Sequence, residues 1–161
     1  MKKNSRHINT QPPQVTLVEL ERLRAHEGVD MQHLCELKRE IKSDRILKFA
    51  IAVDKDTNII LDGHHRFNAL RELGCKRIPV VLVDYKTPQI EVKSWRNGWE
   101  ITKKMVIEAG LSENKLPPKT SKHMIVTNGK LKHIFAIEKK VNFPLKKLKV
   151  TREENRRLLN H

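Results

Sequence analysis

The 161-residue sequence predicts a compact α/β domain of the α+β kind: a mixed sheet, short helices and a small basic C-terminal extension. Three observations carry this. Short β-branched apolar runs alternate with stretches of helical periodicity. One of those runs breaks at a glycine straight into a helical segment, Ile59-Ile60-Leu61-Asp62-Gly63-His64-His65-Arg66. Asn128-Gly129, between two apolar runs, is a strong hairpin signal.

Taken in order, residues 1–14 read as a polar leader closed by Pro12-Pro13. Leu17, Leu20 and Leu23 are spaced to share one face, which predicts a short turn or helix, and residues 25–30 form a loop. Residues 31–43 carry apolar side chains at Met31, Leu34, Leu37 and Ile41, an amphipathic helix with Asp30 as its N-cap. Residues 49–53 are a strand, and the turn at 54–57 leads into a second strand over 58–61 to make a hairpin. The helix beginning at His64 stops at Gly74, and residues 78–85 form a buried strand. A strand over 91–95 is followed by a turn at Asn97-Gly98, then a helix from Thr102 to a stop at Gly110. Residues 117–123 are a loop, and strands at 124–127 and 134–137 flank Asn128-Gly129. The division that follows is a leader (1–14), a core (15–112), a loop with a strand-rich extension (113–150) and a basic tail (151–161).

The glycine turn is the most concentrated piece of chemistry in the chain. The first turn of a helix has unpaired N–H groups and the positive end of the peptide dipole, so an anion there meets donors already aimed at it. Gly63 permits close approach, Arg66 adds a fork of donors, and His64 and His65 donate as neutral tautomers or as cations. Asp62 has two readings, a helix cap or a ligand for magnesium riding on phosphates. The dense hydroxyl and cationic donors at Lys119, Thr120, Ser121 and His123 suit the same anion.

Composition narrows the partners. The net charge is +14, and residues 112–161 hold 13 Lys+Arg against 4 Asp+Glu, leaving +5 on residues 1–111. Much of the excess is lysine, a hydrated point charge, and aromatic residues for stacking bases are scarce at 4%. A solvated basic surface or steering of an anionic small substrate therefore explains the charge as well as nucleic acid does. No run of about twenty apolar residues predicts a membrane span, and the residues after Met1 do not resemble a secretion signal. Cys35 and Cys75 are isolated, which fits a reduced compartment and leads to the expectation of a cytoplasmic protein.

The ordered set Ile51-Ala52-Val53-Asp54, Leu61-Asp62-Gly63-His64-His65-Arg66, Ala69-Leu70, Gly74-Cys75 and Ile78-Pro79-Val80 resembles the ParB/sulfiredoxin superfamily. Within it the chain is similar to the small-molecule branch of archaeal and staphylococcal free-serine kinases. His26-Glu27, Trp95 in Ser94-Trp95-Arg96-Asn97-Gly98-Trp99, and the run from Pro117 to His123 sharpen the match, which covers roughly residues 15–125. The resemblance implies transfer of the terminal phosphate of a nucleotide, ADP ahead of ATP, to free L-serine, giving O-phosphoserine for cysteine synthesis. It implies Glu27 as general base and Asp62 as organiser of magnesium or the reacting groups. Gly63, His64, His65 and Arg66 would hold the phosphates from one side, with Lys119, Thr120, Ser121 and His123 on the other. Trp95 would contact the amino acid, while Trp99 reads as structural.

Rival activities in the superfamily fit less well. Sulfiredoxin chemistry needs a cysteine where His64 stands. The chromosome-partition proteins add a helix-turn-helix reader, whereas residues 124–150 here read as strands and lysines. The runner-up is a ParB-like nucleic-acid-binding protein or nuclease, since histidine, carboxylate and metal also cut phosphodiesters.

Overall fold

The computed structural model describes residues 14–159, so the expected leader falls outside the described residues except for Gln14. The central sheet has four strands, β1 (Val15–Glu19), β3 (Ile51–Asp54), β4 (Ile60–Asp62) and β5 (Arg77–Val83), in the order β1-β5-β3-β4. It is mixed: β3 runs parallel to β5, while β1 and β4 are antiparallel to their neighbours. A parallel pair needs a crossover, here β4 followed by α2 (His64–Glu72). Strand residues point alternately to opposite faces, so Ile51, Val53, Ile78 and Val80 pack on one side with Leu34 and Ile41 of α1 (Met31–Asp44) and Phe67 and Leu70 of α2. Ala52, Val81 and Val83 face the other side, where Ile59, Tyr85, Ile101, Val106 and Ile134 close a second core. Burial on both faces accounts for the near-continuous apolar runs of β3 and β5.

Several local expectations hold for local reasons. Asp30 caps α1 by accepting from the His33 N–H at 2.9 Å. Asn128 and Gly129 both have positive φ, 51° and 73°, which makes the two-residue turn joining β7 (Ser121–Thr127) to β8 (Lys130–His133). The strand β6 (Ile90–Ser94) pairs with β7 to complete a three-stranded antiparallel sheet. Gly63 has φ 109°, and a Cβ there would sit 2.3 Å from Ile51 Cγ2, so only glycine lets β4 turn into α2 against β3.

Other expectations are corrected by pairings that local spacing does not reveal. Val15–Glu19 is a strand on β5, with a 3-10 turn only at Leu20–Arg22; its β-branched residues follow the sheet edge rather than the i, i+3 leucine spacing. Ile134–Ile137 is a 3-10 turn that plugs Ile134 into the second core, so the hairpin partner is the lysine-rich β8. The strand expected over residues 49–53 is two strands, β2 (Ile46–Phe49) and β3, and β2 pairs with β9 (Lys140–Pro144) from the C-terminal extension. After β9 come α4 (Leu145–Leu148) and α5 (Arg152–Leu159), so the segment expected as a basic tail is helical and is tied back by Lys76–Glu154 at 2.6 Å. The helix α3 (Lys103–Leu111) runs through Gly110. A Cβ there would lie 2.6 Å from Ile59 Cδ1, so this glycine serves close packing rather than helix termination.

Arg66 joins the extension to the turn. Its Nη1 donates to the carbonyls of Ala50 (2.7 Å) and Phe49 (3.4 Å), and its Nη2 reaches Asp62 Oδ2 (3.4 Å) and both oxygens of Glu138 (3.1 and 3.2 Å). Glu138 is 5% exposed. Burial pushes its carboxyl up to about 9; Arg66 pulls down and nearby Asp62 adds to the rise. Among the described residues no helix is long and apolar enough to cross a membrane.

Two stability measurements follow from this packing. Gly110→Ala should lower thermal stability by about 1–3 kcal/mol through overpacking against Ile59, and Ile59→Ala in the same chain should recover part of that loss in a double-mutant cycle. For Glu138, the folded state keeps a proton that the unfolded chain has already shed between its ordinary range and about 9. Stability therefore falls as pH rises through that window, and Glu138→Gln should flatten the fall in melting temperature.

Candidate active site

Two adjoining hollows, about 830 and 260 Å³, share Glu27, His33, Asp62, His65 and Ser121 and form one cleft. Its floor is the turn from β4 into α2. Gly63 offers no side-chain cap, so the first N–H groups of α2 are left for solvent or a ligand. The opposite wall is the loop before β7. It is stitched to the His26-Glu27-Gly28 segment by backbone hydrogen bonds from the Leu116 N–H to the His26 carbonyl and from the Gly28 N–H to the Leu116 carbonyl, both 2.8 Å.

That stitch sets Glu27 against the loop. Glu27 Oε1 accepts from the N–H groups of Ser121 (2.8 Å) and Thr120 (3.1 Å), and Oε2 from that of Lys119 (3.2 Å). Lys119 has φ 57°, the left-handed conformation that lets three successive N–H groups converge on one carboxylate. Burial pushes the Glu27 carboxyl above its ordinary range, while these N–H donors pull it back. A carboxylate so placed is partly desolvated yet stays in the cleft, as a proton acceptor requires.

The residues around the turn all line the cleft and divide into those open to it and those buried or tied to protein along its edge. His65 accepts the Asp30 N–H on Nε2 (3.0 Å), which leaves its Nδ1 as the protonated nitrogen of the neutral ring. Asp62 also lines the cleft. His64 is buried, and its Nε2 accepts the His26 N–H at 3.2 Å; burial holds it well below the usual histidine range. Arg66, expected as a phosphate ligand, lines the smaller hollow, and both its terminal nitrogens are hydrogen-bonded to protein oxygens, so it also braces the turn.

The loop residues divide in the same way. Lys119 and Ser121 line the cleft. The Thr120 hydroxyl donates to the Pro117 carbonyl at 2.6 Å and serves its own turn. His123, expected at the phosphate, is instead 1% exposed with Nε2 on the Tyr85 hydroxyl at 2.8 Å. Ser121 and His123, two apart on β7, share one face of the strand, and His123 lies deeper on it, against Tyr85 and His26. Burial holds His123 down at about 3. Trp95 stands at the rim, 53% exposed, with Lys122 Nζ 4.3 Å from its ring centroid. Trp99, read as structural, is exposed beneath Arg96.

Sequence reasoning missed three residues here. His33 and His133 line the cleft, His33 stacked on His65 at 4.2 Å and His133 facing Trp95 at 6.2 Å. The position of His33 on the first turn of α1, behind the Asp30 cap, is a signal that could have been read; His133 and Glu138 have none. Among the described residues, the one group of three metal-type side chains close enough to share an ion is Asp54, Asp56 and Asp84, away from the cleft. Asp54 already accepts from Thr57 and the Tyr85 N–H. At the cleft, Asp62 is the carboxylate next to the open first turn of α2, a donor that fits magnesium arriving with phosphate oxygens.

Comparison with known proteins agrees with this architecture. A ParB-like protein of Sulfolobus acidocaldarius is 38% identical over 82 residues, 51% of this chain and 41% of that protein. A protein of Staphylothermus marinus named ATP-dependent L-serine kinase is 31% identical over 83 residues, 49% of this chain and 33% of that protein. The matches thus span between a third and two fifths of these relatives' lengths. A free serine kinase solved in complex with AMP superposes with a TM-score of 0.70 over 86% of this chain and 95% of that one, at 16% identity, and shares the fold. The description "ParB N-terminal domain" matches residues 2–95, more than half of the sequence. The chain belongs to the ParB N-terminal domain family.

Proposed function

We propose that the chain is a kinase that moves the terminal phosphoryl group of an adenine nucleotide to the hydroxyl of free L-serine, giving O-phospho-L-serine, with AMP as the second product when ADP is the donor. The observation that carries this is a carboxylate, Glu27, sharing one cleft with Asp62 and the open first turn of α2. The 31% identity to a protein named ATP-dependent L-serine kinase supports the choice of acceptor. In the reaction, Glu27 takes the proton as the serine O–H breaks, the serine oxygen bonds to the terminal phosphorus, and the leaving phosphate oxygen keeps the electrons of the bond that breaks. Phosphoryl transfer asks the protein mainly for alignment and charge compensation. The N–H groups of α2, the His65 Nδ1–H and Lys119 supply donors to the phosphates, and Trp95 walls the acceptor side. Magnesium bound to the donor's phosphates would meet Asp62 and add countercharge there.

Purified protein, magnesium and L-serine, given ADP or ATP in separate reactions, should form O-phosphoserine detectable by mass spectrometry. The donor that yields product is thereby named. Glu27→Gln keeps the shape of the side chain and should lower kcat by about 10²- to 10⁴-fold with an unchanged circular-dichroism spectrum. Absence of product with both donors would remove this reading.

A further inference from the structure

Behind Glu27 lies a pair of side chains whose protons are constrained by what they touch. His26 is fully buried, and its Nδ1 lies 2.7 Å from the Ile60 carbonyl oxygen. A carbonyl only accepts, so Nδ1 carries the proton. The other ring nitrogen, Nε2, is 2.8 Å from Ser121 Oγ, and the same Oγ is 3.0 Å from Glu27 Oε1. A hydroxyl has one proton to give, so it serves His26 or Glu27 and not both. The groups facing His26 decide which. His64 and His123 meet its ring edge-on at 4.5 and 5.8 Å, and burial holds His26 down to about 4, with Lys115 adding to the effect. The neutral ring has a bare lone pair on Nε2, while Oε1 of Glu27 already has two N–H donors.

We propose that His26 and Ser121 are positioning residues that tune Glu27: neutral His26 draws the Ser121 hydroxyl proton onto Nε2, so that Ser121 Oγ meets Glu27 Oε1 lone pair to lone pair and makes the carboxylate a stronger base. The proposal rests on Glu27 being the general base of the reaction above. The proton from the substrate is taken on Oε2, which has the Lys119 N–H alone, and the Ser121 proton stays on Oγ throughout. The repulsion at Oε1 weakens when the carboxylate is neutralised, which is what favours proton uptake. Ser121, expected to bind phosphate, thus acts through Glu27.

The test needs no substrate for its first half. NMR of the His26 ring nitrogens and the Glu27 side-chain carboxyl carbon, from about pH 4 to about pH 9, follows both groups in the wild-type protein and in Ser121→Ala. The expected result is a neutral, Nδ1-protonated His26 at neutral pH and a Glu27 midpoint that falls by about one unit in Ser121→Ala. The other charged and titratable groups on the cleft, the acids Asp30 and Asp62, the histidines and the basic residues Arg66, Arg96 and Lys119, are the same in both proteins, so the difference isolates the hydroxyl. With L-serine and nucleotide, the acid limb of kcat/KM should move down by the same amount and the plateau rate should drop. A midpoint that rises or stays put in Ser121→Ala, or a His26 protonated on Nε2, overturns the proposal. The wild-type ring-nitrogen result stands even if the variant does not fold. The expected NMR shift without O-phosphoserine would retain the proton arrangement and overturn the kinase reading.

Discussion

The guanidinium of Arg66 is the point on which the rest of the structure closes. It reaches backbone carbonyls between β2 and β3, the carboxylate at the end of β4, and Glu138 from the C-terminal extension, which packs as β9 against β2. An unpaired charge so enclosed would be costly, so each of these segments is held where it satisfies the cation. The turn at Gly63 then has no latitude: Ile51 blocks it on one side and Arg66 braces it on the other. That rigidity holds the first turn of α2 in place at the cleft, with the terminal nitrogens of Arg66 set on protein oxygens.

How much of this is legible in the sequence depends on the distance over which each feature is determined. Asp30 capping α1, the glycine between β4 and α2, and the Asn128-Gly129 turn are decided within a few residues, and the chain spells them out. The edge strand β1 and the pairing of β2 with β9 are decided by partners far along the chain, and leucine spacing or lysine content misleads there. The site divides along the same line. The residue types around Gly63 and in the loop before β7 point to an anion, but how each side chain is used at the cleft depends on its partners. Arg66 finds Glu138, 72 positions away, and His123 finds Tyr85, 38 positions away. Neither partner bears a local mark.

The buried histidines illustrate a second constraint. His26, His64 and His123 form a neutral wall behind the cleft, each held below its ordinary range by burial. A neutral imidazole keeps one donor and one acceptor, so it can be built into a core and still impose a direction on its neighbours' protons. Charged side chains such as Lys119 and Asp62 are left to the solvent side of the cleft. The division places polarity without mobile charge behind Glu27 and mobile charge in front of it.

The hydrogen bonds between His26-Glu27-Gly28 and Leu116, with the N–H groups that follow at Lys119, Thr120 and Ser121, lie across a boundary that the family match does not reach, because that match ends at residue 95. The inherited unit and the working unit are therefore different stretches of chain. The first supplies the glycine turn, Asp62 and the Glu27 side chain; the second is completed only when residues 116–121 arrive to hold that carboxylate. A chain sharing the first unit and continuing into another sequence would present the same uncapped helix end opposite a different wall. Divergence of chemistry within such a family can proceed by exchanging the continuation while the glycine turn stays as it is.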